Sequence, residues 1–128
     1  MLRLIRHPAI WFSALAVWFG LLWFLSALPG SSVPYPVDHF DKFLHFAYFL
    51  AGGILCAGGH ARLTPARVDW KRVLVTAIVA MAAIGFIDEW HQCFSPWRSG
   101  ADPLDWLADV IGGAVGAYAL KIVHRRFL

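Results

Sequence analysis

Val73-Leu74-Val75-Thr76-Ala77-Ile78-Val79-Ala80-Met81-Ala82-Ala83-Ile84-Gly85-Phe86-Ile87 is an uncharged run that ends abruptly on Asp88-Glu89-Trp90-His91-Gln92. A helix rises about 1.5 Å per residue and the hydrocarbon core of a bilayer is about 30 Å thick, so about twenty residues are needed to cross it. Begun at Trp70 and carried past Gln92 toward the break at Ser95-Pro96, this segment is long enough. Three further segments meet the same requirement. Ile10 to Leu28 is closed by Pro29-Gly30 and a Ser/Pro-rich loop through Pro36. His39 to Gly59 has Asp38 as its expected N-cap, and Pro103 to His124 has Asp102, with proline in the favoured first helical position. The sequence thus predicts an all-α fold. It is a single domain, a bundle of four transmembrane helices at about residues 10–28, 39–59, 70–94 and 103–124.

Composition agrees. Apolar residues make up 59% of the 128 residues and charged residues only 15%, against roughly a quarter charged in soluble domains. The formal charge of +3 could suggest nucleic acid, but the basic residues fall in short clusters between apolar stretches and form no basic face. Arg3 and Arg6 before an apolar run resemble a signal peptide; the run to Leu28 is longer than such a segment needs, so the helix is expected to be retained. Cys56 and Cys93 lie at different depths and predict no disulfide.

Orientation follows from Lys and Arg. Arg3, Arg6, Arg62, Arg67, Lys71, Arg72, Lys121, Arg125 and Arg126 share one side if the chain crosses four times, with only Lys42 and Arg98 opposite. Both termini are therefore expected in the cytoplasm. Among the acids, Asp69 alone accompanies the basic side.

The remaining acids gather at the other end with several polar partners. At about 100° per residue, Asp41, His45 and Tyr48 share a helix face with Gly52 and Gly59. Asp88, His91 and Gln92 align with Ala77, Met81 and Gly85, and Asp102, Asp105 and Asp109 with Gly112 and Gly116. Small residues are what membrane helices place against one another, so the three polar faces are expected to meet in the interior. Ionisable residues inside a bilayer are costly and mark function by default. Plain structural roles compete: Asp38 and Asp102 as caps, Asp41 and Asp105 as first-turn acids that favour the helix dipole, Asp109 as a partner for Arg98 or His45, Gly112 and Gly116 in packing. Trp11, Trp70, Trp90, Trp97 and Trp106 suit an interfacial belt.

Asp41-Lys42-Phe43-Leu44-His45-Phe46-Ala47-Tyr48, and then Asp88-Glu89-Trp90-His91-Gln92 followed by Pro96, Arg98, Asp105 and Gly112, resemble the two signatures of the VanZ-like membrane proteins. With their helices the two segments cover most of residues 26–116. Trp97 stands where that family often has Gly, and Asp109 where it often has Asn. The resemblance implies a small helical bundle of the bacterial cytoplasmic membrane, in a family whose founding member is linked to low-level teicoplanin resistance. A butyryl-phosphate transferase activity attached to some members has no counterpart here, since nothing in the chain looks like a coenzyme A site.

Three chemical readings follow. In the first, the headgroup of an anionic membrane lipid or a lipid-linked cell-wall precursor enters an outward-facing pocket. Arg98 clamps it, Lys42, Asp41, His91, Asp105 and Asp109 line it, and Asp88, His45, Glu89 and Gln92 are the candidates for acid–base work. The excess of carboxylates opposes an anion. A divalent metal would relieve that repulsion, but no H-E-x-x-H or comparable motif supports one, and it is not the favoured cofactor. The third reading is a non-enzymatic accessory protein of the envelope. Nucleic acid is not an expected partner.

Overall fold

Proline opens two of the helices and a side-chain cap opens a third. Pro8 and Pro103 stand at the first position of their helices, where a missing N–H is harmless. Asp69 accepts a hydrogen bond from the Arg72 amide, 3.1 Å away, and so caps the third. The computed structural model describes residues 6–29, 39–96, 98 and 100–127, with side chains as far as residue 124. It contains α1 (Pro8–Ala27), α2 (Phe40–Ala61), α3 (Trp70–Gln92) and α4 (Pro103–Phe127). All four are long and apolar enough to cross a membrane, and no strand occurs among the described residues. The four expected segments are therefore the four observed helices. α3 stops at Gln92, two residues before its expected end, and passes into turns from Cys93 to Pro96. α2 starts at Phe40, with His39 in the cap position at φ 63° and no side-chain cap bond. Asp38, the cap expected there, lies outside the described residues, as do Arg3, the loop from 30 to 37, Trp97 and the side chains of Arg125 and Arg126.

Polar contacts at each end fix how the helices alternate. Ser26 near the end of α1 meets Asp88 near the end of α3, and Lys42 at the start of α2 meets Asp102 before α4. At the opposite end Arg62 lies 4.3 Å over the Trp11 ring, and Trp70 packs at 5.1 Å from His124. Consecutive helices thus run in opposite directions. Among the described residues, the acids other than Asp69 collect at one end, while Arg62, Arg67, Lys71, Arg72 and Lys121 collect at the other.

α2 is the centre of the bundle. It meets α4 through backbone-to-backbone contact: Gly112 abuts the carbonyl oxygen of Phe46, and Gly116 that of Leu50. Any Cβ at either glycine would occupy the space of that oxygen, so the i, i+4 glycine pair is what permits the approach. Gly53 returns the contact from α2 against Gly113. α1 docks on the other side by aromatic packing. Trp18 stacks on Tyr48 at 5.2 Å and meets Phe49 edge-on at 5.4 Å. Trp18 Nε1 donates to the Tyr48 carbonyl at 3.1 Å, and the Tyr48 hydroxyl donates to the Trp18 carbonyl at 2.9 Å. Each buried polar tip on an apolar ring is thereby satisfied.

The core is built from Trp18, Leu22, Phe49, Val73 and Met81 with Cys56, Ala57, Ala61, Ala77 and Ala117, while many other large apolar side chains turn outward. Val17, Phe24, Val79, Phe86 and Leu107 are all exposed. An apolar exterior around an interior that also holds the small and polar residues is the arrangement a lipid solvent favours.

Candidate functional site

The polar end is assembled from all four helices. On α2, Lys42 stands two residues past the helix start, and its ammonium donates to Asp105 Oδ1 at 2.8 Å, Asp102 Oδ2 at 2.9 Å and Asp41 Oδ2 at 3.4 Å. Asp102 also caps α4 by accepting from the Leu104 amide at 2.8 Å, so its expected cap role is met. The Lys42 hydrogen bond, then the Leu104 amide, hold the Asp102 carboxyl below the usual carboxylate range. Lys42 therefore links α2 to the start of α4 and is engaged by three carboxylates.

One turn deeper, His45 Nδ1 hydrogen-bonds Asp109 Oδ1 at 2.9 Å, and His45 Nε2 lies 4.0 Å from Asp105 Oδ2. Asp109 is completely buried. Of its two offered partners it takes His45. Arg98 reaches elsewhere. Asp109 Oδ2 points to Gly85 of α3, where a Cβ would lie 2.7 Å from it. Glu89, one turn beyond Gly85, is buried too; its Oε2 accepts from the Asp102 amide at 2.7 Å, while Oε1 has no hydrogen-bond partner. The local backbone produces that contact. Gly100 and Ala101 adopt positive φ in succession (42° and 55°), turning the chain so that the Ala101 and Asp102 amides both face Glu89.

Asp88 occupies the α1 side of α3. Ser26 Oγ donates to Asp88 Oδ1, and Gln92 Nε2 donates to Asp88 Oδ2 at 2.8 Å. Gln92 in turn accepts from Arg98 at 3.2 Å. The Arg98 guanidinium also donates to the carbonyls of Leu28 (3.0 Å), just past α1, and Leu25 (3.2 Å), in its last turn. Among the described residues no carboxylate pairs with Arg98.

These groups border a cavity of about 240 Å³ between α1, α2 and α3. Leu22, Leu25, Leu44 and Phe49 form apolar wall, while Asp41, His45, Tyr48, Asp88, Gln92 and Arg98 supply polar groups. Of the ten candidates read from the sequence, Asp41, His45, Asp88, Gln92 and Arg98 line this cavity. Lys42, Asp105, Asp109 and Glu89 lie behind it, between α2, α4 and α3. His91 is separate, stacked on Trp23 of α1 at 3.7 Å between ring centres. Ser26 was not a candidate. Its only signal is a hydroxyl in an apolar helix that also carries Ser13, one residue short of the helix end. Ser95, whose hydroxyl donates to the Ser26 carbonyl at 2.7 Å, is a second such residue.

Three residues could hold a metal ion. Single ligand atoms of His45, Glu89 and Asp109 lie within 4.8 Å of one another. Cys56 and Cys93 are free thiols and take no part. The sequence matches no protein-family model, and neither curated proteins nor solved structures show a significant similarity to the chain.

Proposed function

We propose that the chain is a VanZ-like integral membrane protein of the bacterial cell envelope, whose cavity takes the anionic headgroup of a lipid or a lipid-linked cell-wall precursor. The observation that carries this reading is the cavity itself, which combines an apolar wall from α1 and α2 with a cation, Arg98, that has no carboxylate partner among the described residues. An amphiphile presents that same combination, and a guanidinium is well suited to phosphate. The repulsion expected from many acids is reduced here. Lys42 bonds Asp41, Asp102 and Asp105 and offsets part of their charge, and His45 faces Asp109, leaving Asp88 as the cavity's carboxylate without a basic partner. The residues of both VanZ-like segments fall at this end of the bundle. The basic cluster at the other end supports an orientation with the termini in the cytoplasm and the cavity toward the outer face of the cytoplasmic membrane. Occupancy by a cell-wall precursor would connect the site to glycopeptide tolerance.

Lipid co-purification analysed by mass spectrometry tests the reading on wild type, Asp88→Asn and Arg98→Gln. Wild type is expected to retain an anionic lipid or lipid-linked phosphate that Arg98→Gln loses while staying helical and monodisperse. A wild-type preparation with no enrichment of any anionic lipid ends the proposal. A non-enzymatic, accessory role is the second reading, favoured by the engagement of Lys42 and Arg98 in interhelical bonds. Acid–base chemistry by His45 or Asp88 on the bound headgroup predicts that His45→Ala and Asp88→Asn abolish activity with the fold intact. Losses that scale with instability favour the accessory role.

A further inference from the structure

Behind the cavity, where α2, α3 and α4 meet, the fold leaves two buried carboxylate oxygens without a hydrogen-bond partner: Glu89 Oε1 and Asp109 Oδ2. Their residues are 4% and 0% exposed. Buried acceptors left unpaired by the protein are rare, because they keep the full desolvation penalty. The charge count points the same way. Glu89, Asp105 and Asp109 surround His45, whereas the nearest ammonium, Lys42, is already engaged by Asp105, Asp102 and Asp41. This spot requires additional positive charge.

We infer that His45, Glu89 and Asp109 form a binding site for one divalent first-row transition cation of the Mn²⁺ or Zn²⁺ type. Each offers one ligand atom, and the three atoms lie within 4.8 Å of one another. The 2.9 Å between His45 Nδ1 and Asp109 Oδ1 matches the roughly 3 Å edge between neighbouring ligands at bonds of about 2.1 Å. One imidazole nitrogen with two carboxylate oxygens is a borderline-to-hard donor set. It suits Zn²⁺ or Mn²⁺ better than Cu⁺, which prefers sulfur.

The surroundings orient the ligands as the outer shell of a metal site does. The Asp102 amide fixes Glu89 through Oε2 and leaves Oε1 unbonded. Asp105 Oδ2 lies 4.0 Å from His45 Nε2, on the opposite side of the ring from the Asp109 contact. Gly85 leaves the space that Asp109 Oδ2 occupies. The ligands come from three helices, and the α2–α4 glycine contacts hold two of these in register. Three protein ligands leave coordination positions for water. His45 also lines the cavity described above, and Glu89 lines a second one of about 310 Å³ between α3 and α4, which reaches the loop residues Ala101 and Asp102.

The site does not depend on the headgroup reading, and its test uses the metal alone. Untagged full-length protein in detergent is stripped with a chelator and titrated with Mn²⁺ or Zn²⁺. Elemental analysis reads stoichiometry, calorimetry the affinity, and pulsed electron resonance of bound Mn²⁺ the presence of a coordinated imidazole nitrogen. The expected result is one ion per chain, a rise in melting temperature, and a nitrogen coupling. Glu89→Gln and Asp109→Asn, which keep side-chain size, are each expected to weaken binding by at least about tenfold. His7→Ala, exposed at the far end of α1, is expected to bind as wild type does. The inference is overturned by no saturable uptake of either ion, by bound Mn²⁺ lacking nitrogen coupling, or by equal affinity in wild type and both carboxylate variants.

Discussion

Ser26 of α1 donates its hydroxyl hydrogen to the carboxylate of Asp88 on α3, joining two helices that are not consecutive in the chain. Both residues are buried, and the bond sits on the floor of the cavity. Asp88 is also held by Gln92, so its two oxygens are satisfied from two directions.

Removing the hydroxyl measures that link. Ser26→Ala is expected to destabilise the bundle by about 1 kcal/mol, the usual scale for interhelical hydrogen bonds in membranes. A double-mutant cycle with Asp88→Asn, read by reversible unfolding in detergent, isolates the pair. Additive losses in the cycle would mean that the two side chains are not coupled.

Glycine substitution separates close contact from open surface. Gly116→Ala forces a methyl into the Leu50 carbonyl oxygen, a backbone atom that moves only if α2 and α4 part. A loss of about 1–3 kcal/mol is expected, the range for overpacked interiors. Gly20→Ala meets nothing within 4 Å and is expected to stabilise by up to about 1 kcal/mol through helix propensity. Melting temperatures that move in the same direction for both would contradict the α2–α4 contact.

The Lys42 clasp has an acid limit. The Asp102 carboxyl titrates below its ordinary value of 3.8 because Lys42 and the Leu104 amide favour its ionised form. The unfolded chain therefore takes up this proton first as pH falls. The stabilisation is fully present above 3.8 and is lost as pH drops through the lower, folded value. Thermal melts from neutral pH into the carboxylate range should show that loss in wild type. Asp102→Asn should remove the Asp102 contribution; an unchanged acid limb in that variant would refute it.

Arg98→Lys keeps the charge and loses the fork. Arg98 bonds two α1 carbonyls and Gln92 through three different nitrogens, a geometry one ammonium on a flexible stem does not reproduce. Protease protection of α1 is expected to fall, together with lipid retention, while the His45–Asp109 contact persists. Full retention of both would assign Arg98 a charge role only.

Much of this arrangement could be read in advance. The four spans follow from apolar length, and the three inward polar faces follow from helical periodicity, as Gly112 and Gly116 behind Asp105 and Asp109 illustrate. Partner choice could not be read, because it depends on the lateral order of the helices. Lys42 serves three acids since α4 begins beside it. Asp109 meets His45 rather than Arg98 because Arg98 turns to the end of α1. Ser26 gave no periodic signal, being a single hydroxyl among apolar neighbours. His91 shares the Asp88 face by angle, yet Trp23 of α1 stacks on it and sets it apart from the acids. The positive φ at Ala101 has no signature in an alanine.

α1 touches α2 and α3 and makes no contact with α4 among the described residues, while α2 and α4 meet backbone against backbone. α1 is thus a side panel on the other three helices, fastened to α2 and α3 by Trp18, Ser26 and the carbonyls that Arg98 grips. An amphiphile of the proposed kind, arriving sideways from the acyl chains, would meet α1 as a wall of the cavity. Asp105 and Asp109, behind the cavity, stand on α4, which α1 does not touch among the described residues.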